Sequence, residues 1–212
     1  MRITKLHFSP EETCNTYILG DEGKEAIVID PGSNKNNCLD NYLDKHHSSL
    51  NAILITHGHY DHILGLKTLT HKAPIYIDEK EEEFLNDSKL NLTFYLNDDE
   101  FSIENVNEIL VTDRQTLKIN GLEILVIETP FHTIGSVCYY IKSLNALFSG
   151  DTLFHLGIGR SDLPTGSERT IMPSLKKLTS LPKDTKVYPG HGENTTLENE
   201  FSYNDYFNSF FK

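Results

Sequence analysis

Apolar positions along this chain fall into short β-branched or alternating runs, interrupted by polar turns and by a few stretches of helical spacing. In the first half they predict strands over 2–8, 14–19 and 25–30, carried by Leu6/Phe8, Tyr17-Ile18-Leu19 and Ala26-Ile27-Val28-Ile29. Gly20-Asp21-Glu22-Gly23 reads as a hairpin turn, and Asp30-Pro31-Gly32 as the turn that ends the third strand. A helix is predicted over 37–47, with Leu39, Tyr42 and Leu43 on one face and His46 and His47 at its end as surface residues. Ala52-Ile53-Leu54-Ile55 is the pattern of a buried strand, and 63–69 has helical spacing. A strand over 73–77 leads into an acidic helix to about residue 85, with Glu79 to Glu83 as its solvated start. Residues 86–107 are Asn/Asp-rich and poorly periodic, yet hold Leu90, Leu92, Phe94, Tyr95 and Leu96. That composition fits a surface loop packing its own aromatics.

The second half predicts strands over 115–119, 122–128, 137–142 and 146–149, with Asn120-Gly121 as a hairpin turn. A helix over 168–179 carries the stripe Ile171, Met172, Leu175 and Leu178, and Lys186-Val187-Tyr188 is the last strand. The tail, 197–211, is amphipathic: Phe201, Tyr203, Tyr206, Phe207, Phe210 and Phe211 are too apolar to stay in water, so 194–212 is expected to dock as a tail helix. Periodicity alone says mixed α and β.

The chemistry concentrates in Thr56-His57-Gly58-His59-Tyr60-Asp61-His62, between a predicted strand and a predicted helix. A lone histidine is ordinarily a surface or satisfied core residue. Four metal-capable side chains in six positions would repel and desolvate one another in a packed core unless a cation held them. Tyr60 reads as structural. This stretch resembles the metallo-β-lactamase superfamily, and within it the short glyoxalase II-like hydrolases. Three further stretches resemble that family's later motifs, in its order: Thr129-Pro130-Phe131-His132-Thr133, Leu147-Phe148-Ser149-Gly150-Asp151-Thr152, and Tyr188-Pro189-Gly190-His191-Gly192.

The resemblance implies an α+β fold, the αββα sandwich of two mixed sheets packed face to face with helices outside, over one domain spanning 1–212. It also implies two divalent metal ions, zinc as the first expectation with iron or manganese as alternatives. His57, His59 and His132 would hold the first, Asp61, His62 and His191 the second, and Asp151 would bridge them. Asp61, with a metal-bridging hydroxide, would be catalytic. The implied reaction is hydrolysis of a thioester of the hydroxyacylglutathione type. A mononuclear iron persulfide dioxygenase is the alternative, and a non-catalytic metal- or partner-binding module the second alternative. Gly157-Ile158-Gly159-Arg160-Ser161-Asp162 resembles a stretch shared by both enzyme classes; Arg160 would either pair with Asp162 to fix this loop or contact substrate. Segment 86–107 would lie near the site's mouth in such a family. Phe131 stands where the family has glycine, which raises the expectation of a different local turn and a narrower cleft.

Composition refines this picture. With 212 residues, 38% hydrophobic and 24% charged, the chain has the balance of a globular protein with a sizeable core. The net charge of −12 without a Lys/Arg cluster argues against nucleic acid as a partner, since phosphate binding needs clustered cations. No run approaches the ~18 apolar residues of a membrane span. The N-terminus reads as a strand rather than a signal segment, which predicts a cytoplasmic protein without membrane partners and disfavours a secreted β-lactamase. Three cysteines, Cys14, Cys38 and Cys138, are expected as thiols, with Cys14 and Cys138 buried and none at the family's ligand positions. Only 21 residues follow His191, so the helical domain that supplies glutathione contacts in full-length glyoxalase II enzymes is expected to be missing.

Overall fold

The computed structural model describes residues 1–7, 14–98, 101–104 and 106–210, with the side chain of Phe210 excepted. Phe8 of the first predicted strand and Phe210 and Phe211 of the tail therefore fall, wholly or by their side chains, outside the described residues. The chain forms two compact units, Met1–Val111 and Thr112–Lys212.

The first unit contains β1 (Ile3–Leu6), β2 (Thr16–Leu19), β3 (Glu25–Ile29), α1 (Cys38–His46), β4 (Ser49–Leu54), α2 (Tyr60–Ile63), β5 (Ile75–Asp78) and β6 (Glu108–Val111). Its sheet runs β1-β2-β3-β4-β5-β6, antiparallel through β3 and parallel from β3 to β6. Parallel neighbours need a crossover, and α1 supplies it between β3 and β4. Leu39 and Leu43 of α1 bury against Val28 and Ile53 of the sheet.

Several expectations change here. The helix predicted over 63–69 starts earlier, at Tyr60 inside the histidine run, and continues as a 3-10 turn over Leu64–Lys67. The acidic helix is only a 3-10 turn, Glu82–Leu85, and Glu81 is wholly buried rather than solvated. His46 and His47 are half-buried; the His46 ring lies 4.5 Å from Tyr42, and its Nδ1 is 3.1 Å from Glu22. Within 86–107, Phe94, Tyr95 and Leu96 are exposed, Phe94 and Tyr95 meeting edge-on, while Phe101 and Ile103 enter the core. β6 follows directly on that irregular segment, and its four residues gave no separable pattern. It forms where β5 offers a parallel edge.

The second unit contains β7 (Thr116–Ile119), β8 (Leu122–Glu128), β9 (Val137–Ile141), β10 (Ala146–Gly150), α3 (Ile171–Leu178), β11 (Lys186–Pro189), β12 (Thr195–Thr196), α4 (Leu197–Tyr203) and α5 (Asp205–Phe210). Its sheet runs β12-β11-β10-β9-β8-β7, with only β10–β11 parallel. Asn120 and Gly121 both have positive φ, +50° and +73°, as a two-residue hairpin turn of this twist requires. The tail is two short helices, not one, broken at the buried Asn204. Leu197, Phe201 and Phe207 join the unit's core, whereas Tyr203 and Tyr206 are exposed.

Strand direction gathers the chemistry. β3, β4 and β5 are parallel neighbours, so Asp30, the His57–His62 run and Glu81 all follow strand ends at one edge of the first sheet. In the second sheet, β8 is antiparallel to β9 and β9 to β10, while β10 is parallel to β11. β8, β10 and β11 therefore point the same way and bring His132, Asp151 and His191 to one edge. Carboxyl ends of such strands are the usual place for a ligand site.

Candidate metal centre

In the first unit, the loop after β4 folds its imidazoles onto one another. His57 Nε2 lies 3.1 Å from His59 Nδ1, and the His57 and His62 ring centroids are 4.1 Å apart. His62 Nε2 is 3.7 Å from Asp61 Oδ2. All three histidines are buried, and Asp61 is 18% exposed. Gly58 permits the tight turn between His57 and His59: a Cβ there would stand 2.3 Å from the Phe84 Cβ. Its N–H donates to Glu81 Oε2 at 2.8 Å. The next turn is held by Tyr60 N–H donating to the Asn91 carbonyl.

Asp30 is the organising group behind these imidazoles. It is buried and sits at φ +51°, a conformation rare outside glycine but accessible to Asp and Asn. Its carboxylate accepts the Thr56 N–H at 2.8 Å, the Thr56 hydroxyl at 2.7 Å and His62 Nδ1–H at 2.9 Å. Because the Thr56 hydroxyl donates to Asp30, its lone pairs are left to face His57 Nδ1 at 3.3 Å. Both contacts place the ring proton on Nδ1 and turn the Nε2 lone pair of His57 and His62 outward, the tautomer a metal ligand needs.

The second unit repeats the logic with other parts. His132 Nδ1–H donates to the Arg160 carbonyl at 2.7 Å, which again leaves Nε2 unprotonated. That Nε2 lies 3.5 Å from Asp151 Oδ2, and His191 Nε2 lies 3.6 Å from Asp151 Oδ1. One carboxylate thus presents each of its oxygens to a different histidine. Two donors bound at about 2.0–2.2 Å to one tetrahedral cation lie about 3.3–3.6 Å apart. The His–Asp spacings fit co-ligands of one ion better than hydrogen bonds. The donors are nitrogen and carboxylate oxygen, a set that suits zinc, iron or manganese. Gly159 is needed beside Asp151, whose carbonyl would be 2.0 Å from a Cβ at that position.

Phe131 is wholly buried in the second unit's core and has no positive φ, so the turn before His132 closes without a glycine-like conformation. The Arg160 guanidinium pairs with Asp162 through two contacts of 2.6 and 2.7 Å, as one of the two expectations had it. That pairing holds the Asp162 carboxyl down to about 2. Cys14 lies against the back of the histidine run: its Sγ, the Asp30 carboxylate and an imidazole nitrogen of His62 are within 4.8 Å of one another. Burial pushes this thiol up to about 12, so it is a protonated, packed group.

The model of the metallo-β-lactamase superfamily matches residues 10–191. The chain belongs to this superfamily. The metallo-β-lactamase αββα sandwich accounts for the two mixed six-stranded sheets and their helices. A probable metallo-hydrolase of Bacillus subtilis, YqgX, is 32% identical over 99% of both chains. The hydroxyacylglutathione hydrolase GloC of Haemophilus influenzae is 29% identical over 92% of this chain and 93% of its own. Among solved structures, the BLEG-1 B3 metallo-β-lactamase is 32% identical, with a TM-score of 0.87 over 97% of this chain and 99% of that one. TTHA1623 in a di-iron-bound form is 28% identical, with a TM-score of 0.75 over 97% of this chain and 100% of that one. Among the described residues no helix is long and apolar enough to cross a membrane.

The groups that brace the histidine run are not legible in the sequence. By pattern Asp30 is only a turn residue, Glu81 part of a solvated acidic run, and Asn91 carries no signal. The one signal for Asp30 was a carboxylate directly after the apolar strand Ala26-Ile27-Val28-Ile29, where a charge needs a partner.

Proposed function

We propose that the protein is a dinuclear metal-dependent hydrolase of thioesters, of the hydroxyacylglutathione hydrolase type. His57, His59 and His132 hold one ion, Asp61, His62 and His191 the other, and Asp151 serves both. The observation that carries this reading is the Asp151 carboxylate, with one oxygen facing His132 and the other facing His191. Membership of the superfamily, the di-iron form of TTHA1623 and the name of GloC support it. Zinc is the first expectation for the ions.

The bound ions supply a nucleophile at neutral pH by lowering the pKa of water, and polarise the carbonyl under attack. The chain's own part is to place the groups around the reacting carbon. Asp30, Thr56 and the Arg160 carbonyl fix the imidazole tautomers, so no ligand must reorient during turnover. With the ions bound, Asp61 would accept the proton of the attacking water. Water adds to the thioester carbon, the C–S bond breaks, and the products are a carboxylic acid and a thiol. A thiolate leaves readily, since a free thiol has a pKa of ~8.5, and no separate acid is required. The exposed Arg160 guanidinium, steadied by Asp162, offers a contact for an anionic thiol.

The decisive experiment is steady-state kinetics of the zinc-loaded protein on thioesters with one acyl group and different thiols, with oxygen uptake on glutathione persulfide followed in parallel. Thioester turnover, with a high KM for the glutathione ester, is expected. Oxygen uptake without thioester hydrolysis would move the protein to the dioxygenase class. Lactam hydrolysis is a second reading, favoured by the likeness to BLEG-1. A chromogenic cephalosporin in the same panel tests it.

A further inference from the structure

The second unit buries a carboxyl group that the proposed chemistry does not use. Glu200, on α4, has no exposed surface. Its Oε1 accepts the Thr195 hydroxyl at 2.7 Å and the Asn199 amide at 3.0 Å. Its Oε2 accepts the Leu156 N–H at 2.8 Å and the Asn204 amide at 2.9 Å. One of these four donors comes from α4 (Asn199), one from the break between α4 and α5 (Asn204) and one from β12 (Thr195). The fourth, Leu156, is 44 positions away in the loop that follows Asp151.

That loop is unusual in itself. Leu156 has φ +59° and is 52% exposed, so neither its backbone preference nor its burial explains its conformation. Such a residue keeps a left-handed conformation only where its surroundings impose it. The tail imposes it here at two points: Glu200 takes the Leu156 N–H, and the Asn204 amide donates to the Gly157 carbonyl at 3.1 Å. Between them, Phe154 and Gly157 pair as a small antiparallel bridge. The Phe154 ring then stands edge-on to His191, with centroids 6.0 Å apart. The loop's far end ties back to Asp151, whose carbonyl accepts the Gly159 N–H at 3.0 Å. His191 is 40% exposed, more open than Asp61 or Asp151, so a fixed wall beside its ring has consequence for where Nε2 points.

The geometry points to Glu200 as a positioning residue for the metal centre: through Leu156 and the Phe154 ring, the C-terminal tail sets the orientation of His191. This rests on the reading of His191 as a ligand of the second ion.

The test is zinc affinity, measured by competition with a chromophoric chelator, in the wild type and in Glu200→Gln. The substituted amide has the same shape: with its NH2 toward Leu156 and Asn204 it faces two donors and loses both bonds, and with its NH2 toward Thr195, whose hydroxyl can turn to accept, it loses the Asn199 bond and the charge that strengthens the bonds from Leu156 and Asn204. Groups that orient a ligand change metal affinity by about 10–100-fold when removed. The effect here passes through one more residue, and about 10-fold weaker binding of the second zinc is expected, with the first zinc unchanged. Leu156→Gly supplies the readout that a merely structural role would not move. Glycine adopts positive φ at no steric cost, so the loop can keep its turn without the clamp. The double variant Glu200→Gln/Leu156→Gly is expected to regain most of the lost affinity. Asn204→Ala, which removes the amide between Glu200 and Gly157 while leaving Glu200 in place, is expected to weaken the second zinc several-fold and serves if Glu200→Gln does not fold. Unchanged second-zinc affinity in both single variants overturns the proposal. Loss of affinity that Leu156→Gly fails to restore overturns it as well, because Glu200 would then act only by docking α4. A wild-type protein that takes up a single zinc refutes the dinuclear reading itself, and the clamp with it.

Discussion

On the dinuclear reading, replacing Asp30 with asparagine should weaken the second metal about as much as it weakens the fold. Asn has the same shape and tolerates the left-handed conformation found at φ +51°, so the backbone keeps its turn. The carboxamide oxygen can still accept the buried Thr56 N–H, which bonds to Oδ1 at 2.8 Å; the opposite orientation would strand that N–H against the new NH2. Its NH2 then replaces Oδ2, which accepts both the Thr56 hydroxyl and His62 Nδ1–H. The hydroxyl can rotate and accept instead. His62 cannot adapt while binding metal: with Nε2 given to the ion, Nδ1 must carry a proton, and that proton would face an N–H. The alternative tautomer accepts from the amide but protonates Nε2 and blocks the ligand. Loss of such a partner costs about 10–100-fold in metal affinity, or about 1.4–2.7 kcal/mol. The fold itself loses one charge-assisted bond, about 1.5–3 kcal/mol. Zinc titration against a chelator, alongside urea unfolding of the metal-free protein, separates the two effects. Wild-type affinity for the second zinc in Asp30→Asn would refute the argument that this carboxylate sets the His62 tautomer.

Gly58→Ala should cost about 1–3 kcal/mol in urea unfolding and, on the dinuclear reading, also lower metal content, because the added methyl meets Phe84 2.3 Å away between His57 and His59; an unperturbed variant would contradict the close packing of that loop. Thiol titration with a disulfide reagent at pH 8 should label at most Cys38 in the native protein and all three cysteines in denaturant, since burial raises Cys14 to about 12 and Cys138 to about 11. Asp40→Asn should destabilise the metal-free protein at pH 7 by about 1–3 kcal/mol. The Asp40 carboxylate is buried, which opposes its charge, but hydrogen bonds from Thr70, Asn34 and His71 outweigh this and lower its pKa. A lowered folded pKa contributes stability above the unfolded value of ~3.9 that is lost as pH falls through the folded value. The gap between the variant and wild type should therefore close toward pH 2 in denaturant midpoints; a gap constant with pH would show that the carboxylate charge is not what matters.

Much of this protein was legible without its fold. The donor types of the centre follow from residues that are near neighbours in sequence, and the strands beside them from apolar runs that need no distant partner to be recognised. The tight Asn120-Gly121 hairpin was equally plain, because only residues that accept positive φ serve there. The short edge strands β6 and β12 were not, since four and two residues carry too little pattern to declare a strand before a neighbour offers an edge. Least legible were the groups that hold the histidine run and the loop after Asp151 in place. Asp30 reaches His62 across 32 positions, Glu81 reaches Gly58 across 23, and Glu200 reaches Leu156 across 44. A carboxylate in a local sequence looks the same whether it faces water or a buried N–H. The sequence by itself therefore determined which atoms can bind metal. Which tautomer each imidazole holds, and where its lone pair points, was decided only when β3, β4 and β5, and separately β8, β10 and β11, brought their carboxyl ends to a common edge. Burial at those edges leaves each polar group dependent on the partner the fold has placed within reach.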